Sequence, residues 1–166
     1  MKCHECNSQM IEVCEEYHYT ESGLNNVYLS NVCVYKCDCG EFFASIPAVI
    51  KLNENIGRSI IKKKSGLTGE EIKYLRKNIG LSAKEFAEYL GVNQSTLSRW
   101  ENEKQTIDKS NDRVVRMIYA NFKQIPLEEQ KRIVQDTFRN IDGRINTVPI
   151  HLPIEVLSNS PKCSLC

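Results

Sequence analysis

Between residues 81 and 101 the apolar positions recur at three-to-four spacing in two short blocks, Phe86, Ala87 and Leu90 in the first, Leu97 and Trp100 in the second. That period marks amphipathic helices, and only Gly91, Val92 and Asn93 part the blocks. Ser82 followed by Glu85 makes a capping box that opens the first helix. Gly91 suits the turn, because positive φ is least costly at glycine, and Asn93 suits the start of the second helix. Ala87 is small where two such helices cross closely. The pattern predicts a helix-turn-helix whose second helix turns Gln94, Ser95, Thr96, Ser98 and Arg99 outward, where they can read DNA bases. The plainer alternative is a helical hairpin with a polar surface, and the flanking segments weigh against it.

Thr68 and Glu71 form a second capping box, opening a helix through Ile72, Leu75 and Arg76 that ends near Gly80. Asp108 can start a helix carrying Val114, Val115, Met117, Ile118 and Phe122, and Pro126 suits the first turn of one carrying Leu127, Ile133, Val134 and Phe138. Upstream, residues 11–19 and 27–35 alternate or run β-rich like two strands, and residues 41–66 read as a strand followed by a connecting helix. The segment from Val148 to Leu157 is extended and apolar with two prolines. It is expected to dock on a partner subunit, on the core, or as an edge strand. The expected fold is α+β: a small β-rich cysteine domain over residues 1–56, a basic linker over 57–66, an all-α bundle over 67–125, and a C-terminal extension over 126–166 that is a candidate for dimerisation. The helices over 67–122 resemble the bundle of lambda-type repressors, the Xre family.

Charge sharpens that division. Residues 1–56 hold 3 Lys/Arg and 8 Asp/Glu, net −5, whereas residues 57–125 hold 14 and 8, net +6. The remaining 41 residues balance, so a formal net charge of +1 conceals an acidic front and a basic middle. The basic part is the part expected to approach phosphates. Lys62, Lys63 and Lys64 precede it and are candidates for contacts to the DNA backbone or minor groove. No apolar run approaches the length of a membrane span and no signal-peptide core opens the chain, so a cytoplasmic protein that uses no membrane is expected.

In that setting the 8 cysteines point to metal more than to disulfides. Cys3-His4-Glu5-Cys6 is answered by Cys37-Asp38-Cys39-Gly40, a pair of knuckles of the kind that presents four thiolates to one structural zinc ion. So small a domain needs the metal to fold. A single residue separates the cysteines of the second knuckle, where two are usual. Cys39 is therefore the least secure ligand, with Cys33, His4, His18, or Cys163 and Cys166 as substitutes. Cys14 and Cys33 lie in strand-like runs and read as buried thiols. Cys163 and Cys166 have half-site spacing and are candidates for a second metal or redox role. Nothing resembles a three-ligand catalytic zinc with an acid or base beside it, so no enzyme activity is expected.

Knuckled cysteines, a basic linker and the stretch from Leu67 to Val92 together resemble the YgiT-type, or MqsA-like, zinc-finger and helix-turn-helix antitoxins, over about residues 1–122. The resemblance implies a dimeric autorepressor, structural zinc on Cys3, Cys6, Cys37 and Cys39, a cognate toxin bound by the zinc domain, and a palindromic double-stranded operator read by Ser95, Arg99 and their neighbours. One helix-turn-helix covers a half-site only, so a homodimer is expected, with Leu127, Ile133, Val134, Phe138 and the apolar tail as its contact. A metal- or redox-responsive transcription regulator of phage or mobile-element type is the alternative.

Overall fold

The computed structural model describes residues 1–140 and 145–156. The chain is mixed α+β and divides into two units, one built from Met1–Thr20, Asn25–Leu52 and the described part of Pro149–Cys166, the other from Glu21–Leu24 and Asn53–Val148.

The first unit is a sheet organised around one long strand. β1 (Ile11–His18) and β2 (Val27–Lys36) pair antiparallel, from Ile11 opposite Lys36 to His18 opposite Tyr28. β3 (Phe42–Ser45) pairs antiparallel with the second half of β2, Lys36 opposite Phe42. The first half of that same strand pairs in parallel with β4 (Ile150–Pro153), Val27 opposite Ile150. Of the three placements open to the apolar tail, the structure takes the strand: Ile150 donates its amide to Asn26 O at 2.7 Å and is itself buried. Along β2, Val27, Leu29, Val32 and Val34 are buried. The change of parity after Leu29 coincides with a register shift and with Asn31 at φ 61°, a bulge that keeps the apolar side chains on one face.

Cys14 and Cys33 stand directly opposite each other on β1 and β2, and both are disulfide-bonded. The expectation of buried thiols is corrected on both counts, since each is also only half-buried. Strand pairing that places two cysteines in one register row brings their Sγ atoms within bonding reach.

The second unit is helical. α1 (Val49–Lys62) crosses the division at residue 52 and buries Ile56, Ile60 and Ile61. α2 (Gly69–Asn78) and α3 (Ala83–Leu90) both open with the expected capping boxes, Thr68 with Glu71 and Ser82 with Glu85. α4 (Gln94–Glu101) follows Asn93, which occupies the N-cap position without a side-chain cap bond. α5 (Lys109–Phe122) and α6 (Leu127–Asn140) complete the unit, and Pro126 O accepts from Glu129 and Gln130 at the start of α6. Phe86, Leu97, Trp100, Val115, Tyr119 and Ile133 are among its buried side chains.

Asp108 caps α5 by accepting from the amides of Ser110 and Asn111 at 2.9 and 3.0 Å. The Asn111 side chain first, then its amide, hold this carboxyl below the ordinary aspartate value. A depressed folded pKa means stability that is present above the unfolded value of about 3.9 and lost as pH falls through the folded value. Asp108→Ala should lower stability by ~1 kcal/mol at neutral pH, the usual worth of an N-cap. Asp108→Asn keeps a capping oxygen but no charge, so urea titrations should show its gap to wild type shrinking below pH ~4.

Candidate functional site

The outward face of α4 exists because its inward face is firmly held. Leu97 and Trp100 are buried, whereas Gln94, Ser95, Ser98 and Arg99 are exposed and Thr96 is half-exposed. Gly91 ends α3 in the left-handed conformation, φ 68°, and its amide returns to Ala87 O and Glu88 O, so the chain reverses within one residue. Glu101 at the end of α4 accepts from Arg76 of α2 at 2.6 and 3.1 Å, and Arg76 also donates to Leu81 O at 2.9 Å. One nearly buried guanidinium thus ties α2, the turn before α3 and the end of α4 together. Gly69 brings α2 and α4 closer than any side chain would allow: a Cβ there would lie 2.4 Å from Trp100 O. Four exposed side chains able to bond base edges therefore sit on a helix clamped at both ends. Lys104 is a neighbour the periodicity did not single out; it is exposed and its amide donates to Arg99 O at 2.8 Å.

The three lysines before α2 differ from one another. Lys62 is half-exposed and pairs with Glu129 at 2.7 Å. Lys64 is exposed. Lys63 has a side chain 7% exposed, ion-paired with Glu71 and donating to Asn146 O at 3.0 Å. Burial pulls the Lys63 ammonium below its ordinary pKa and pushes the Glu71 carboxyl above its own. Contact with Glu71, the acid of the Thr68 capping box, turns Lys63 inward.

A second site lies in the β unit. After Cys3, the turn closes through Asn7 N to Cys3 O and Cys3 N to Ser8 O, both 3.0 Å, with Asn7 at φ 59°. The other knuckle closes through Gly40 N to Cys37 O at 3.0 Å and Cys37 N to Glu41 O at 2.9 Å. Cys3 Sγ lies 3.6 Å from Cys39 Sγ and Cys6 Sγ 3.3 Å from Cys37 Sγ. All four sulfurs fall within 4.8 Å of one another. A tetrahedron with metal–sulfur bonds of about 2.3 Å has sulfur–sulfur edges of about 3.8 Å. The short second knuckle therefore still brings both its sulfurs to the cluster. The Ser8 hydroxyl and amide pull the Cys6 thiol down to about 6. At Cys37 the Cys39 amide works downward, but the crowded sulfurs of Cys6 and Cys39 push the thiol up to about 12. Anionic sulfurs this close repel, and a cation at their centre converts that repulsion into coordination.

Apart from His4, the substitutes expected for the fourth sulfur are engaged elsewhere or lie outside the described residues. Cys33 is in a disulfide. His18 Nε2 lies 3.0 Å from Asn25 O, and its ring stacks on Tyr28 at 4.8 Å. His4 is exposed on the first knuckle. Cys163, Cys166, Leu157 and the side chain of Phe138 lie outside the described residues. Of the apolar residues expected at a twofold contact, Ile133 is 3% exposed and Leu127 is 65% exposed.

Comparison with known proteins gives a partial match. The family described as helix-turn-helix matches residues 72–111, spanning α2, α3, α4 and the start of α5. Neither the curated proteins nor the solved structures contain a match to this chain. The chain carries an Xre-type helix-turn-helix, a DNA-binding domain of transcription regulators, and a four-cysteine cluster at its N-terminus. Among the described residues no helix is long and apolar enough to cross a membrane.

Proposed function

We propose that this protein is a cytoplasmic, non-enzymatic autorepressor and the antitoxin of a toxin–antitoxin pair. Its helix-turn-helix binds a palindromic double-stranded operator, and its four-cysteine unit holds a structural zinc ion and binds the cognate toxin. The observation that carries the DNA half is the clamped α4 with Gln94, Ser95, Ser98 and Arg99 exposed beside the match over residues 72–111. Base edges are read by Arg99 and its neighbours, while Lys64, Lys62 and Lys104 contact phosphates. Among the described residues four cysteines meet with no other donor, a set that suits zinc in a closed, structural site.

The acidic balance of residues 1–56 supports a basic toxin as partner, with charge speeding encounter more than it tightens the complex. Co-expression with the product of the adjacent reading frame tests this. Capture of that product by the full chain, lost on removing zinc, supports the assignment; no association sinks it.

A homodimer follows from the half-site argument. Ile133 and Ile150 are buried in the interior, whereas Leu127 of the expected contact stays exposed; Tyr89 and Phe122, packed edge-to-face at 5.4 Å, and Val114 are further exposed apolar side chains and form the surface proposed here for a second copy. Phe122→Glu should give a monomer in sedimentation that retains its helix content; an unchanged dimer would place the contact elsewhere.

A metal- or redox-responsive regulator is the second reading. The disulfide in the same unit as the four thiols favours it.

A further inference from the structure

The β unit contains sulfur in two states. Cys3, Cys6, Cys37 and Cys39 are free, while Cys14 and Cys33 are disulfide-bonded. A cluster that holds a metal must keep its sulfurs reduced, and under conditions that do so a disulfide is an exchangeable couple more than a permanent staple. The pair is placed for exchange. Both residues are half-buried, in the same row as Ser45, on the face of β2 opposite the buried Val32 and Val34. Backbone pairing on either side of that row, from Ile11–Lys36 to His18–Tyr28, holds β1 against β2 without the covalent bond. The same two strands carry the knuckles: β1 follows Cys3 and Cys6, and β2 leads into Cys37 and Cys39.

We propose that Cys14 and Cys33 are a reversible redox couple whose oxidation strengthens the grip of the four-cysteine cluster on its metal ion. Oxidation joins the two Sγ atoms, releases two protons and passes two electrons to a small-molecule disulfide of the glutathione class, which leaves as two thiols. A dithiol reverses the step through a mixed disulfide on one of the two sulfurs.

The coupling is topological. The metal-free unit is expected to be unfolded, with β1 and β2 unpaired, so metal binding must close the chain between Cys6 and Cys37, 31 residues apart. Through the disulfide the path is 8 residues from Cys6 to Cys14 and 4 from Cys33 to Cys37. Closing about 13 links instead of 31 lowers the entropic cost enough to tighten metal binding roughly fourfold.

This coupling rests on the metal reading of the cluster, and the test separates the two. Zinc-loaded full-length protein is equilibrated in glutathione buffers of graded oxidised-to-reduced ratio. Differential alkylation and peptide mapping then report each cysteine, and competition with a chromophoric chelator reports zinc affinity. The expected result is that Cys14 and Cys33 shift from two alkylatable thiols to none across the series while the cluster cysteines stay protected. Zinc should be held about fourfold more tightly at the oxidised end. The double variant Cys14→Ser, Cys33→Ser, with its sheet verified by circular dichroism, should show the reduced-state affinity in every buffer. A pair that resists excess dithiothreitol, a pair that stays reduced in the most oxidising buffer, or oxidation of the cluster before the pair would overturn the proposal. Equal zinc affinities at both ends would also overturn it. Failure to bind zinc in either state removes the metal reading together with the coupling, and the thiol map then reports whether the pair still cycles.

Discussion

Cys3→Ser should abolish stoichiometric zinc binding and unfold the β unit while the helical unit keeps its structure. Cys3 is 3% exposed and its sulfur is 3.6 Å from that of Cys39, so it is the most interior corner of the cluster. Serine is no thiolate, and three remaining sulfurs leave an open coordination position where water enters. Structural zinc contributes about 10–16 kcal/mol to the folding of small zinc domains, as much as a typical domain's whole stability of about 5–15 kcal/mol. The strands contribute a buried face of Val27, Leu29, Val32 and Val34, but their knuckles are short turns with little else to close them. Metal analysis should fall from about one zinc per chain, the stoichiometry of a four-thiolate site, to nearly none. Amide exchange should lose protection across β1–β3 while α2–α5 keep theirs. Zinc-free wild type whose strands stay protected would show that the cluster is not what folds this unit.

Arg116→Met should cost the helical unit about 3–5 kcal/mol, the price of leaving one partner of a buried ion pair alone. Arg116 is fully buried and donates to Asp112 at 2.6 Å. It also donates to the carbonyls of Ile61, Lys63 and Ser65 at 3.0, 2.7 and 2.8 Å. Those carbonyls belong to the end of α1 and the segment after it, where a helix has no partners of its own. Asp112 in turn accepts the Leu67 amide at 2.6 Å. One side chain therefore holds the approach to the helix-turn-helix against α5, and methionine fills its volume without replacing any donor. Urea unfolding of the helical signal measures the loss; Asp112→Asn, Arg116→Met together should cost less than the sum of the singles, because each single leaves the other charge unpaired. Additive losses would mean the two residues act independently.

Local signals carried the helices. Both capping boxes, the Gly91 turn and the Asp108 cap join residues no more than four apart, and such bonds form wherever the residues occur in that order. The four-sulfur cluster was nearly as visible, since each knuckle is a local turn. What stayed hidden depends on partners distant in the chain. Ile150 pairs with Val27 across more than a hundred residues, and apolarity alone did not distinguish that strand from a docking tail. Cys14 meets Cys33 only because of the register between β1 and β2, with a bulge near Asn31 that no pattern of alternation announces. Lys63 looks like its two neighbours in sequence, and its burial follows from a carboxylate, Glu71, already assigned to a cap. Ile133 has the spacing of an amphipathic helix, which says that the side chain faces something apolar but not whether that is its own core.

The central claim, that the outward face of α4 reads operator sequence, is tested most directly by titrating wild type and Arg99→Ala against the operator upstream of this gene and against random duplex at several salt concentrations. Arg99→Ala should weaken operator binding by about 1–3 kcal/mol and leave random-duplex binding nearly unchanged, with the same salt dependence. Lys64→Ala, as the control, should weaken both alike and reduce the salt slope by about 1. Equal losses on operator and random duplex for Arg99→Ala would contradict the account, because they would make that face a phosphate contact and leave the reading of bases to another part of the protein.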